Sequence, residues 1–221
     1  MVQSPLISSG TALFVIDMQR DFLEEGGYAA SAGLDVNTLR QAIPGVQILL
    51  CAARQVGCLV IHTREGHRPD LSDCPRAKMM RSVRAGAAIG SKGPMGRLLV
   101  RGEYGHDFID ELMPGPGEIV IDKPGYSAFH QTDLQQILIN RGIEKIIICG
   151  VTTEVCVHST LRSAVDLGYS CSLASDACAS ADIRLHNAAL EMVRAESGIF
   201  GQVQTSAELA QVLMTDPREL T

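Results

Sequence analysis

The sequence predicts an α/β fold of three layers, with a parallel β-sheet held between two layers of helices. Two observations carry this expectation. Five short runs rich in Val and Ile are apolar almost throughout, and the segments between them carry helical periodicity. Unbroken rather than alternating hydrophobicity belongs to strands covered on both faces. Strands that alternate with helices close into layers through right-handed crossovers.

The elements follow in chain order. ALFVID (12–17) reads as the first strand, too short for a helix and ended by Asp17. Leu39, Ile43, Val46, Leu49, Leu50 and Ala53 place a helix over 35–56, with Gly57 as its stop. Pro44 inside that pattern predicts a kink or a late helix start. CLVIH (58–62) is the second strand. The stretch 64–106 is basic, rich in glycine and carries three prolines, so it reads as a long loop excursion of the kind that lines sites or subunit contacts. EIVID (118–122) is the third strand, with Lys123 just past it. A helix over 132–141 leads to EKIIICG (144–150). A second helix over 153–167 stops at Gly168 and leads to YSCSLAS (169–175). Helices over 182–196 and 206–214 begin at Asp182 and Ser206. No repeat or composition break divides the chain, so residues 1–221 are expected to form one domain.

Composition narrows the function. Of 221 residues, 46% are hydrophobic and 20% charged, enough apolar surface for a real core. The net charge of -6 argues against nucleic acid or an anionic membrane as the main partner, since both reward positive surfaces. Cysteines at 51, 58, 74, 149, 156, 171 and 178 are odd in number and include no CxxC pair. A disulfide framework or structural zinc site is therefore not expected. MVQSPLISSGTALFVID has no basic region ahead of a long apolar run and does not read as a signal peptide. The expected setting is the cytoplasm, where a thiol stays reduced.

In open parallel sheets ligands sit beyond the carboxyl ends of the strands. Asp17, Lys123 and Cys156 fall at such ends. Each alone is more often a cap, a solvated charge or an inert core thiol. Cys156 has more in its favour than the other six cysteines. Gly150-Val151-Thr152-Thr153 gives the chain a tight exit from its strand, and a helix follows. The thiol then lies near the helix N-terminus, whose free N–H groups favour a thiolate and can hold an oxyanion.

ALFVIDMQRDF, IDKPGYSAF and CGVTTEVCVHSTLRSAVDLGY resemble the three signature blocks of the isochorismatase-like cysteine hydrolases, in order, over about residues 10–212. That family includes nicotinamidase and carbamoylsarcosine, ureidoacrylate and biuret hydrolases. The resemblance implies a doubly wound sheet, a homodimer or homotetramer, no cofactor and a small-molecule amide as substrate. It implies that Asp17, Lys123 and Cys156 act as a triad, that the N–H groups of Thr152 and Cys156 form the oxyanion hole, and that the Val151–Thr152 peptide is cis.

Glu65-Gly66-His67 stands where nicotinamidases carry a metal-binding Asp-x-His, with no second His before His106. No metal is therefore expected, and Glu65 and His67 read as loop residues with local hydrogen bonds. HTREGHRPDLSDCP, RGEYGHDFIDEL and IDKPGYSAF resemble the biuret hydrolase branch, which implies a urea-like amide of biuret or triuret type. Phe22 is expected as a pocket wall, and Gln19, Tyr126 and Glu196 as substrate hydrogen-bonding groups. A ureido acid or carbamoyl amino acid is the alternative substrate, with Arg64, Arg68, Arg76, Arg81 and Arg84 as possible carboxylate partners. A ligand-binding module on the same fold is the non-enzymatic alternative, although no G-x-G-x-x-G or phosphate-cradling loop is present.

Overall fold

The computed structural model describes residues 10–215. In chain order the elements are β1 (Thr11–Ile16), α1 (Arg20–Leu23), α2 (Tyr28–Ser31), α3 (Val36–Arg40), α4 (Ile43–Val56), β2 (Leu59–Glu65) and α5 (Arg76–Arg84). A short hairpin, β3 (Lys92–Gly93) and β4 (Gly96–Arg97), precedes β5 (Ile119–Lys123), α6 (Leu134–Asn140) and β6 (Lys145–Val151). A wide π-helical turn (Thr153–Val157) opens into α7 (His158–Asp166), followed by β7 (Ser170–Ala179), α8 (Ile183–Gly198), β8 (Gln202–Gln204) and α9 (Ser206–Met214).

Six strands form one sheet in the order β5-β2-β1-β6-β7-β8, and all of its pairings are parallel. The chain starts at the centre with β1, works outward through β2 to β5, then returns beside β1 with β6 and works outward the other way. Crossovers of one hand then place helices on opposite faces for the two halves. Accordingly α4 packs with α9 over β1, β2, β6 and β7, while α7 and α8 pack against β7. Ala12 through Ile16 are entirely buried, as a central strand covered on both faces requires.

The expected strands and helices are present, with instructive shifts. The helix expected over 35–56 is two helices. Asp35 caps α3 by accepting from the Asn37 N–H, and α4 starts at Ile43 with Pro44 in its first turn. There the missing proline N–H has no helical partner to lose. The helix over 153–167 begins as the π turn. Strand β2 runs three residues beyond CLVIH, so Glu65 belongs to the sheet and not to the excursion. The rest of the excursion is built: a bridge joins His67 to Val100, and α5 and the hairpin fill the interval. β8 was not foreseen, because three residues reading Gln-Val-Gln at an edge give no apolar run.

β1 and β6 are the neighbours at which the strand order reverses, and in open α/β sheets ligands bind past the carboxyl ends at such a point. Ile16 pairs with Gly150 there. A Cβ at Gly150 would lie 2.1 Å from the Ile16 carbonyl oxygen, and the Gly150 φ is 117°. Only glycine permits this approach.

Candidate active site

Asp17 follows β1 in the left-handed region, φ 50°, which Asp tolerates better than most residues. Its N–H donates to the Thr63 carbonyl (3.2 Å) and Oγ1 (3.1 Å), and the Thr63 hydroxyl donates to Oδ1 (2.6 Å). The other oxygen, Oδ2, lies 2.7 Å from Lys123 Nζ. Lys123 ends β5, two strands away, and reaches across β2 with its whole side chain buried. Its ammonium also donates to the Gly125 carbonyl (3.0 Å). Past β6 the Val151–Thr152 peptide is cis. The Thr152 carbonyl then accepts from the N–H groups of Val155 and Val157, both at 3.2 Å, which sets Cys156 in the opening turn. The three residues singled out in the sequence thus share one buried cleft, at 0% (Asp17), 0% (Lys123) and 3% (Cys156) exposure.

A fourth and a fifth group complete the cluster, and sequence reasoning missed both. Glu65 is not a loop residue. It ends β2 in register with Lys123, is buried, and its Oε2 accepts the Cys156 thiol hydrogen at 3.1 Å. Lys78, buried on α5, places Nζ 2.5 Å from Glu65 Oε1 and 2.6 Å from the Pro124 carbonyl. Lys123 Nζ is 3.7 Å from Glu65 Oε2. His67 does keep a local contact, Nδ1 to Asp73 Oδ1 at 3.2 Å. The polar run His62-Thr63-Arg64-Glu65 hid the strand's continuation. Of these four only Arg64 is not buried, and Thr63 and Glu65 both reach the site.

The electrostatics follow from this packing. Burial raises the Asp17 carboxyl above its ordinary value, with Lys123 opposing and Glu65 adding to the rise. Glu65 is also penalised by burial, but Lys78 and Lys123 together hold it at about 2. Burial works against the Lys123 ammonium, yet Asp17, Cys156 and Glu65 hold its pKa above the usual lysine range. The Cys156 thiol is pushed well up by burial; Lys123 opposes this and the two carboxylates reinforce it. Two ammoniums thus face two carboxylates around a neutral thiol. Of the carboxylates, Asp17 is the stronger base. The ligating atoms of Asp17, Glu65 and Cys156 lie within 4.8 Å of one another, a spacing that could hold a metal ion. Lys123 already supplies positive charge to both carboxylates, so the chemistry of the donor set is that of an acid–base cluster.

The expected substrate-binding residues fare unequally. Tyr126 lines a cavity of about 320 Å³ together with Lys78, Arg81, Gly125, His130 and Ser159. Its ring receives Lys78 Nζ at 5.0 Å and the Arg81 guanidinium at 5.9 Å. Phe22 is buried behind Tyr28, ring centroids 5.9 Å apart. Burial pushes the Tyr28 phenol up to about 12, with Glu65, Tyr126 and Cys156 adding to the rise. Gln19 is a brace. Its Nε2 donates to the carbonyls of Glu65 (3.0 Å) and His106 (2.8 Å), while its Oε1 accepts from the Glu65 N–H (2.7 Å). Glu196 does not belong to the site. It is exposed in a kink near the end of α8, with φ 50°, and the neighbouring Gly198 lines a separate 570 Å³ cavity with Thr11, Lys145 and Ser170 at the amino ends of the strands. Helical periodicity located Glu196 along the chain, but α8 runs away from the carboxyl ends, so its last turn lies at the opposite end of the strands from Cys156.

Known proteins share this architecture. The cysteine hydrolase of Pseudomonas syringae pv. phaseolicola is 30% identical, with a TM-score of 0.79 and 96% of each chain covered. An isochorismatase family protein of Desulfovibrio vulgaris is 28% identical, with a TM-score of 0.76, covering 93% of this chain and 99% of its own. The N-carbamoylsarcosine amidase of Thermoplasma acidophilum, at 23% identity and a TM-score of 0.67 over 89% and 96% of the two chains, is similar in fold. A family profile described as the isochorismatase domain matches residues 11–208. With nearly the whole described chain matched, the protein belongs to the isochorismatase family, among its cysteine hydrolases.

Proposed function

We propose that the protein is a cysteine amidohydrolase that cleaves a C–N bond of a small urea-like amide, of biuret or triuret type, through an acyl-cysteine. The observation that carries this reading is the buried cleft in which the Cys156 thiol meets the Asp17–Lys123 pair. Asp17, the stronger base of the two carboxylates, takes the thiol proton. Lys123 steadies the charges that result. The sulfur attacks the amide carbonyl, and the N–H groups of Thr152 and Cys156 hold the oxyanion. Asp17 returns the proton to the departing nitrogen, so ammonia or an amine leaves. Asp17 then takes a proton from water as it attacks the thioester, and the free thiol is restored. This sequence uses only the chain's own residues. It rests on a small-molecule substrate in a cytoplasmic protein that acts as a homodimer or homotetramer.

A flat substrate rich in C=O and N–H suits the cavity in which the Tyr126 ring meets Lys78 and Arg81. One observation favours a second reading, a ureido acid or carbamoyl amino acid. Of the five arginines considered, Arg81 lines the cavity beside Tyr126, and its guanidinium could take a substrate carboxylate. Arg64 is engaged by Asp122 (2.8 Å) and Asp107 (2.9 Å). Ammonia release from biuret, triuret, carbamoylsarcosine, ureidoacrylate and nicotinamide distinguishes the readings, with mass spectrometry for an acyl adduct on Cys156. Turnover of biuret or triuret above the others is expected. Preference for the two carboxylates, lost in Arg81→Ala, would select the second reading, and inactivity on all five by folded protein would overturn both.

A further inference from the structure

We propose that Glu65, anchored by Lys78, is a positioning residue that keeps the Cys156 thiol protonated until a substrate N–H takes its place on Glu65 Oε2. This rests on the amidohydrolase reading for the nature of the ligand, but not for the state of the thiol.

Glu65 presents its two oxygens in different directions. Oε1 is fixed at 2.5 Å by Lys78, and Lys78 is itself fixed by the Pro124 carbonyl at 2.6 Å. Oε2 faces Sγ at 3.1 Å and lies 3.7 Å from Lys123. The backbone behind Glu65 is clamped by Gln19, which bonds both its N–H and its carbonyl. The carboxylate therefore has little freedom to turn away, and the resting thiol hydrogen points to it and not to Asp17. Such a contact favours S–H over S⁻, because the donor is present only in the neutral thiol and a fixed anion repels the thiolate.

The groups at and beside the thiol come from different elements. Asp17 comes from the end of β1, Glu65 from β2, Lys123 from β5, Lys78 from α5, Tyr28 from α2 and Tyr126 from the loop after β5. Among the described residues only Glu65 bonds the sulfur directly. An amide or ureide whose carbonyl reaches Sγ brings its N–H groups beside that sulfur, next to Oε2. An N–H bonded there displaces the S–H, and the thiol proton can then pass to Asp17 as sulfur attacks. The carboxylate thus ties nucleophile release to a substrate that carries N–H beside its carbonyl. An ester of the same shape has no such donor.

The test reads the thiol itself. The rate of iodoacetamide alkylation of Cys156, located by peptide mass spectrometry, is followed from pH 6 to 10 in the full-length protein. Glu65→Gln keeps the size of the side chain and removes the charge. Without that charge the thiol pKa falls, and alkylation at pH 7 is expected to be about tenfold faster, since lower basicity takes back part of the gain. Lys78→Gln removes the anchor but keeps the carboxylate, so alkylation there is expected to rise less than in Glu65→Gln. The order is the point, because simple loosening of the cleft would go at least as far in Lys78→Gln, which loses two buried contacts. Equal rates in wild type and Glu65→Gln, or an acceleration in Lys78→Gln that matches or exceeds that in Glu65→Gln, would overturn the proposal. Circular dichroism melts establish that each variant is folded; if Glu65→Gln does not fold, Glu65→Asp, whose shorter arm withdraws from Sγ, is expected to give the same acceleration. Amidase activity plays no part in this readout, so its outcome is independent of the substrate panel.

Discussion

Lys123→Met is the most informative single change. The ammonium lies 2.7 Å from Asp17, and neither side chain is exposed. Removing it leaves a buried carboxylate that has lost its closest cation, a change that typically costs about 3–5 kcal/mol. The structure sets a ceiling through another route. Asp17 can escape its charge by taking a proton, and from its ordinary value of 3.8 this costs about 4 kcal/mol at pH 7. The same relation fixes the sign of the pH dependence. A carboxyl whose folded pKa is raised stabilises the fold at low pH and loses that contribution as pH rises through the folded value. The deficit of Lys123→Met should therefore shrink to about 2 kcal/mol at pH 5. Urea unfolding at both pH values measures it. The double variant Asp17→Asn with Lys123→Met has no orphaned charge there and should be more stable than Lys123→Met alone by about 2 kcal/mol. A deficit under about 1 kcal/mol, a deficit indifferent to pH, or no recovery in the double variant would refute the description of this pair as a buried, mutually dependent unit.

Cys156→Ala is expected to keep the wild-type melting profile within a few degrees and to lower turnover at least about a thousandfold; retained turnover would remove the nucleophile assigned here. Gln19→Ala removes three buried hydrogen bonds and should cost about 2–4 kcal/mol in urea unfolding, with any loss of activity traced to a displaced Glu65. Gly150→Ala should fail to give soluble, folded protein, since its methyl group would meet the Ile16 carbonyl at 2.1 Å; a wild-type melt would contradict the close approach. Glu65, held at about 2 against an ordinary 4.5, contributes stability above pH 4.5 that is lost as pH falls toward 2. Acid melts of wild type should lose this contribution between those values, and Glu65→Gln should not.

Much of the fold was legible because the strands of a sheet covered on both faces announce themselves as unbroken apolar runs. The residues 12–17, 118–122 and 144–150 needed only one-residue adjustments. Asp17, Lys123 and Cys156 could be placed at strand ends, and the three-block resemblance joined them before any coordinate did. Glu65 and Lys78 were illegible for a common reason. Each is a charged residue whose burial depends on partners contributed by other segments, and no local pattern records such a pairing. Gln19 was misjudged in the opposite sense: its polarity suggested a ligand, whereas it satisfies backbone groups of β2 and the His106 carbonyl. Glu196 shows the limit of helix periodicity, which gives a face and an order along the axis but not the edge of the sheet at which a helix finishes.

The strand order also bears on how the protein acquires activity. Asp17, Glu65, Lys123 and Cys156 arrive from both halves of the chain, and none of the contacts among them is local. Neither half, translated or refolded alone, holds the full set. Recovery of turnover from denaturant should thus lag behind helix formation and coincide with the docking of β6 against β1, leaving no partly assembled species able to turn over substrate.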